Sequence, residues 1–243
     1  MALHGSTEKG STKVGERGSR RRKIFALGAA GAVLGIGVTA TLAAWTDTEW
    51  VFGGDGAGGP GVGTSTFEVL QNTVAPYDDP ADWVNEDENP GGEIEFGLEA
   101  LDLTPGESVY AAFALQTSDS SLAGDVLLQA AVPADDIVQD DPDGTLYESL
   151  VFRAVTDDAA FDCDVDAFAE LPGDPDLFAA GPLATTGGDS EQVLLGEADS
   201  TQYYCFEVTL PALAPGEDGE ELMGLSLAPA WQFVAESAGP LVP

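Results

Sequence analysis

Alternation of apolar and polar residues, broken by Pro and Gly turns, is the feature that most constrains how this 243-residue chain can fold. The pattern is clearest in Ser65–Gln71, Glu93–Leu98 and Ser108–Leu115. A period of two places one face of an extended strand on a core and the other face in water. The same reasoning predicts further strands, which are Asp125–Val132, Tyr147–Val155, Glu191–Leu195, Gln202–Leu210 and Leu222–Val234.

Turn sequences separate these segments, and each combines Pro, which presets φ, with Gly, which allows positive φ. They are Asn89–Gly92, Thr104–Glu107, Asp141–Gly144, Pro172–Pro175 and Ala214–Glu217. Short strands punctuated in this way predict an all-β fold, an antiparallel β-sandwich with acidic loops. Only Asp164–Ala169 and Pro175–Ala180 are predicted to form a helical turn.

The start of the chain has the pattern of a cleavable signal peptide. Seven of the eight basic residues lie before position 24, the apolar run Ile24–Ala44 follows, and small residues end it. We therefore predict a signal peptide over 1–44, with Trp45 as the mature N-terminus. Two alternatives are a retained membrane anchor, because 21 uncharged residues are enough to span a bilayer, and export by a twin-arginine route.

Charge narrows the range of partners. After cleavage, 41 acidic side chains remain against Arg153 alone, so the net charge is about −40. Such a surface repels nucleic acid and anionic lipid, and it attracts cations and basic proteins. We therefore expect a secreted protein at the cell surface or outside the cell, with no nucleic-acid partner and no membrane association after processing.

The mature chain contains two cysteines, Cys163 and Cys205. In an oxidising exterior two cysteines most often pair, and closing this loop would stabilise the fold by about 4 kcal/mol. A buried free thiol or a reactive cysteine is the alternative. A nucleophilic cysteine needs a neighbouring cation, and His4, the only histidine, leaves with the signal.

Calcium is the one cofactor that the composition permits. Asp140, Asp141 and Asp143 stand at close spacing before Gly144, as carboxylates do in calcium loops. The alternative is a solvated acidic face. Arg153 lies inside an apolar strand, where we expect it to pair with carboxylates of a neighbouring strand and to be structural.

The end of the signal, followed by Trp45-Thr46-Asp47-Thr48-Glu49, resembles the mature start of the TasA/camelysin family, whose members use a signal peptidase of the SipW type. The turn Leu103–Glu107, the strand after it and the closing segment Trp231–Glu236 are also similar to that family. The resemblance implies a jelly-roll-like sandwich at the cell surface or in the extracellular matrix. It also implies fibres in which the N-terminal segment of one subunit completes the sheet of the next.

The segment 45–63 fits such a donor strand with a Gly-rich linker, ahead of a β-sandwich domain over 64–243. Trp45, Trp50 and Phe52 are the large apolar residues that would fill pockets of a neighbour. Docking of this segment on its own domain and disorder are the alternatives.

The resemblance also implies a metalloprotease, but the chain has no His-Glu-x-x-His motif and no His for a catalytic triad. The sequence therefore favours a secreted, non-enzymatic matrix or surface protein that assembles with itself or with other surface proteins. A monomeric module that binds a cation, a glycan or a protein is one rival, and a camelysin-like protease is another.

Overall fold

The computed structural model describes Ala57 and residues 64–216 and 218–238. Within these residues, the chain is mostly antiparallel β-structure with few helices. The strands are β1 (Val69–Asn72), β2 (Ser108–Thr117), β3 (Gly124–Leu128), β4 (Val132–Pro133), β5 (Val151–Asp157), β6 (Asp176–Pro182), β7 (Gln192–Leu194), β8 (Thr201–Thr209), β9 (Pro229–Ala230) and β10 (Phe233–Ser237). Helix α1 is Thr145–Ser149, and 3₁₀ turns occupy Pro80–Asp82, Leu98–Asp102, Val165–Phe168 and Glu220–Leu222.

In the described part of the chain, the strands form three antiparallel sheets. A five-stranded sheet has the order β1-β2-β8-β5-β6, a three-stranded sheet has the order β10-β3-β7, and β4 pairs with β9. The longest pairing joins β2 to β8, from Ser108 opposite Thr209 to Gln116 opposite Thr201. This pairing lies at the centre of the five-stranded sheet and sets the register of its two faces.

An aromatic cluster joins the five-stranded and three-stranded sheets face to face. Phe113 of β2 stacks on Tyr204 of β8 with ring centroids 5.0 Å apart. Phe206 meets the rings of Phe113 and Phe152 edge-on at 4.9 Å each, and Phe233 of the opposite sheet lies 5.8 Å from Phe113. Such edge-to-face pairs add to the free energy gained from area burial. The alternation seen in the sequence therefore marks the face that enters this shared core.

The other face of the five-stranded sheet is covered in part by the segment 158–175, which connects β5 to β6. Ala167 and Phe168 from this segment pack with Val155 of β5 and Cys205 of β8 in a second, smaller apolar cluster. The predicted helical turn at Asp164–Ala169 is confirmed as the 3₁₀ turn Val165–Phe168.

The five predicted turns are confirmed by their glycines. Each contains a glycine at positive φ, a region where a side chain is strained. These glycines are Gly91, Gly106, Gly144, Gly173 and Gly216. At Gly106 the turn is closed by a bond from the Glu107 amide to the Thr104 carbonyl, 3.0 Å long.

Two predicted elements are wrong. Glu93–Leu98 forms no strand, because Gly97 takes a φ of 80° and a 3₁₀ turn begins at Leu98. Pro175–Ala180 forms no helical turn but belongs to strand β6, because Phe178 and Ala179 are buried in the main core while the backbone pairs with β5.

Four predicted strands are too long. Ser65–Gln71 is a strand only from Val69 onward, and Asp125–Val132 divides into β3 and β4. The other two contain helical residues. Tyr147–Val155 begins as helix α1, and strand β5 starts only at Val151. Leu222–Val234 contains the end of a 3₁₀ turn and is extended only in β9 and from Phe233 onward. In both cases a polar or Pro-containing stretch interrupts the apolar run.

The described residues from position 64 onward belong to one compact unit, Gly63–Pro243. The predicted signal peptide lies outside the described residues, as does the linker apart from Ala57, so the boundaries at 44 and 63 stay predictions. Within 64–216 and 218–238, no helix has the length and apolar character needed to cross a bilayer.

Candidate functional site

The predicted calcium loop has a structural role at the start of helix α1. Both carboxylate oxygens of Asp141 accept backbone hydrogen bonds, Oδ1 from the Leu146 amide at 3.1 Å and Oδ2 from the Tyr147 amide at 2.9 Å. A carboxylate in this position satisfies amides that have no partner inside the helix, and its charge complements the helix dipole. The oxygens that the sequence assigns to calcium are therefore directed at the backbone.

The neighbouring aspartates differ from Asp141 in their surroundings. Asp140 pairs through its backbone with Ser226, by bonds of 2.8 Å and 3.0 Å, and Asp143 is exposed in the turn. Among the described residues, no group of three His, Cys, Asp or Glu side chains is placed to hold a metal ion. Calcium binding by Asp140, Asp141 and Asp143 stays a prediction.

The predicted pairing of Cys163 with Cys205 is present in the structure, with the two Cα atoms 5.3 Å apart. Cys205 is fully buried in β8 with its side chain on the outer face of the five-stranded sheet, and Cys163 lies in the 158–175 segment. The disulfide therefore attaches this segment to the centre of the sheet.

Arg153 binds Glu207 beside this disulfide, which confirms the predicted pairing across strands. The Arg153 Nε donates to Glu207 Oε2, and Tyr110 donates its hydroxyl hydrogen to Glu207 Oε1 at 3.1 Å. The guanidinium carbon lies 4.7 Å from the ring centroid of Phe168. Each polar atom of the buried Glu207 carboxylate thus has a partner, and the positive charge rests on an aromatic face.

The pKa shifts in this group favour the charged guanidinium of Arg153 and the neutral phenol of Tyr110. The hydrogen bond to Glu207 raises the pKa of Arg153 above its ordinary value. Burial, and then the negative charge of Glu207, raise the pKa of Tyr110. These contacts join Tyr110 of β2, Glu207 of β8 and Arg153 of β5 across the outer face of the sheet.

A cleft opens between the edge of the five-stranded sheet at β6 and strand β7 of the three-stranded sheet. Its volume is about 560 Å³. The lining residues come from four separate stretches of sequence, and they are Thr156, Asp158, Asp176, Leu177, Phe178, Ser190, Glu191, Gln192, Val193, Leu195, Ser200 and Gln202. The sequence analysis missed this site, because no local pattern links residues that only the strand order brings together.

Strand β10 has an open outer edge. In the described part of the chain it pairs with β3 alone, and no backbone hydrogen bond reaches its other side. By contrast, Gln71 of the edge strand β1 exchanges two bonds with Val84, and Phe178 of β6 accepts one from Asp189. An unpaired edge is a template for another strand. Trp45, Trp50 and Phe52, the predicted assembly residues, lie outside the described residues, so their position stays a prediction.

No known protein family has a model that matches this chain, and no curated protein matches its sequence.

Proposed function

We propose that this protein is exported to the cell surface or extracellular matrix, where it serves as a non-enzymatic fibre subunit whose copies join by β-strand donation. In this proposal, residues 1–44 are removed by a signal peptidase, and the remaining domain is a jelly-roll-like sandwich. Residues 45–52, with Trp45, Trp50 and Phe52, add to the sheet of a neighbouring copy.

The open edge of β10 carries the proposal. It is a five-residue strand, and its outward-pointing amides and carbonyls would be satisfied by an added strand. Phe233 and Ala235 face the shared core, so the strand is held in place before a partner arrives. The abundance of carboxylates opposes self-association, so like-charged copies would assemble only where cations screen their repulsion.

The register shows which amides of β10 are free to receive a partner. Gln232 accepts from the Gln129 amide and Ala238 donates to the Ala123 carbonyl, each at 2.8 Å, and bonded positions alternate in an antiparallel ladder. The amides of Phe233, Ala235 and Ser237 therefore point away from β3. Replacing Ala235 by Pro would remove an outward donor without removing a bond to β3.

Electron microscopy of purified secreted protein, with calcium and with a chelator, tests the proposal. We expect fibres from the wild type and from Ala235→Ser, which keeps the amide, and none from Ala235→Pro or from protein lacking 45–52. Thermal melting of each variant monitors whether the domain still folds. Fibres that persist after deletion of 45–52, or a wild type that never assembles in any salt or calcium condition, would contradict strand donation.

A further inference from the structure

The most exposed apolar side chains in the described part of the chain lie at one end of the sandwich. Val138, Leu98, Leu101 and Met223 are 96%, 86%, 80% and 76% exposed, and among the described residues no other large apolar side chain exceeds 64%. Exposed apolar residues are common singly, but several together indicate an interaction site. We refer to these four residues as the apolar end group.

The registers of the five-stranded sheet show why the four share one end. Ser108, the first residue of β2, pairs with Thr209, the last residue of β8. Thr209 also pairs with Val151, the first residue of β5. The connections that lead to or from these strand ends carry the end group. They are 73–107 with Leu98 and Leu101, 134–144 with Val138, and 210–228 with Met223.

The 3₁₀ turn in the β1–β2 connection directs two leucines outward. A 3₁₀ helix has three residues per turn, so its first and fourth residues, Leu98 and Leu101, lie on the same side. Ala100 packs against the main core. A few residues later, the Gly106 amide donates to the Leu210 carbonyl at 2.7 Å, which holds this connection beside the end of β8.

The loop between β4 and α1 is closed at its base by one side-chain amide. Gln139 Nε2 donates to the Ala134 carbonyl, and Gln139 Oε1 accepts from the Ala228 amide, each at 3.0 Å. Asp140 and Ser226 exchange two backbone bonds next to it. These bonds join the two connections that carry the rest of the end group. Groups held in place before a partner arrives lose less conformational entropy on binding.

Exposed carboxylates flank the end group along the sequence, and they are Glu99, Asp102, Asp135, Asp136, Glu220 and Glu221. Arg153 is the only Lys, Arg or His after position 23, and it is bound to Glu207 in the five-stranded sheet. A second copy of this chain would bring further carboxylates, and an anionic lipid surface would bring phosphates, so both are repelled. A partner for this surface must therefore supply positive charge.

We propose that the apolar end group and its carboxylates dock a basic partner protein. Apolar side chains of the partner pack on the four exposed residues, and its Lys or Arg side chains lie over the surrounding carboxylates. The apolar contact supplies free energy in proportion to its area, and the complementary charge selects the partner. None of these residues belongs to β10, so this proposal is independent of strand donation.

Isothermal titration calorimetry of the secreted protein with three designed peptides of equal length tests the chemistry of the partner. We expect an amphipathic leucine–lysine peptide to bind, and its affinity to fall as salt screens the charges. A serine–lysine peptide of the same charge and a leucine–glutamate peptide should each bind at least about tenfold more weakly. Equal binding of the serine–lysine peptide would overturn the proposal, because it would show only the general attraction of an acidic surface.

Matched serine variants locate the binding surface. The test set is Leu98→Ser, Leu101→Ser, Val138→Ser and Met223→Ser, and the control set, at positions at least 50% exposed elsewhere on the domain, is Val165→Ser, Leu171→Ser, Val193→Ser and Leu195→Ser. We expect the test set to weaken binding of the leucine–lysine peptide about tenfold and the control set to change it less than about twofold. Equal losses in both sets would overturn the proposal.

Matched amide variants test the charge while keeping the end group intact. The test set is Glu99→Gln, Asp136→Asn and Glu220→Gln, and the control set, at the opposite end of the sandwich, is Asp119→Asn, Asp158→Asn and Glu197→Gln. We expect about a fivefold loss from the test set and little from the control set. Sedimentation and phosphatidylcholine vesicle binding test the other occupants. Self-association or vesicle binding that the serine test set abolishes would overturn the proposal, by assigning the surface to a second copy or to a membrane.

Discussion

The two faces of the five-stranded sheet are stabilised by different chemistry. The inner face meets the three-stranded sheet through aromatic rings, with Phe206 in contact with rings from both sheets. The outer face is covered by a single loop segment, 158–175, held by a disulfide and by the Arg153–Glu207 pair beneath Phe168. The inner face is stabilised by area buried between two layers, and the outer face by a few specific bonds.

This difference follows from how much chain is available to cover each face. Two sheets share a large apolar area, and that area contributes free energy in proportion to its size. A loop with one short 3₁₀ turn buries little, so a covalent bond and a charged pair are needed to keep it in place. We therefore expect the inner face to determine global stability and the outer face to determine local order.

We expect the largest loss of stability from removing an aromatic ring on the inner face, and a smaller loss from removing one on the outer face. Phe206→Ala should lower the free energy of unfolding by about 3–5 kcal/mol, because the cavity lies between two layers that cannot collapse into it. Phe168→Ala should cost less, since the loop segment can move to fill the space. Denaturant unfolding of both variants measures the difference, and equal losses would break the distinction between the faces.

Removal of the disulfide should have the next largest effect. Cys163→Ala with Cys205→Ala should lower the free energy of unfolding by about 2–4 kcal/mol, and faster hydrogen exchange should be concentrated in 158–175. The strands β2 and β8 should keep their protection apart from the global loss. Unchanged exchange in 158–175 would show that the apolar contacts of Phe168 hold the loop without the bond.

The ion pair should contribute less than the disulfide, because the Arg153 side chain is 32% exposed. Arg153→Met leaves the buried Glu207 carboxylate without its cation and should cost about 1–3 kcal/mol. Adding Glu207→Gln should recover part of that loss. A double-mutant cycle in denaturant measures the coupling, and additive losses would mean that Arg153 acts through its contact with Phe168 alone.

The smallest of the four expected changes in stability is the one caused by alkaline pH. It should differ between the faces because each face carries a different tyrosine. Burial strongly raises the pKa of Tyr204, on the inner face, from its ordinary value of 10.0. The pKa of Tyr204 is higher in the folded state than in the unfolded state, so the fold keeps its full stability below pH 10. Stability is then lost as the pH rises further and the unfolded chain releases the phenolic proton. At pH 11 the loss reaches about 1.4 kcal/mol. Unfolding curves from pH 8 to 11 should decline less steeply for Tyr204→Phe than for the wild type, with a smaller change for the outer-face variant Tyr110→Phe.

The sequence predicts those strands whose alternation reflects burial of one face. Ser108–Leu115 and Gln202–Leu210 are predictable as strands because their apolar positions enter the shared core while polar residues such as Glu207 occupy the other face. Pro175–Ala180 is wrongly predicted as helical because it lacks this alternation. It has two adjacent alanines and no clear period of two, and its extended form depends on pairing with β5, which lies more than 20 residues away.

The sites were harder to predict than the strands. Asp141 was assigned to calcium from its acidic neighbours, although an Asp shortly before a helical turn is equally a capping residue, and that signal was present in the sequence. The β6–β7 cleft gave no local signal at all. Gln192 and Asp176 become neighbours of one space only when the order of strands in both sheets is known.

The scarcity of positive charge has a consequence for proteolysis. Between residues 24 and 243, a protease that cleaves after Lys or Arg has one peptide bond to attack, the bond from Arg153 to Ala154. That bond lies in β5, which is hydrogen-bonded to β8 on one side and to β6 on the other. Cleavage requires β5 to leave the sheet, so its rate reports the opening of the whole sheet. In surroundings rich in trypsin-like enzymes, the folded domain would persist for as long as its central strands stay paired.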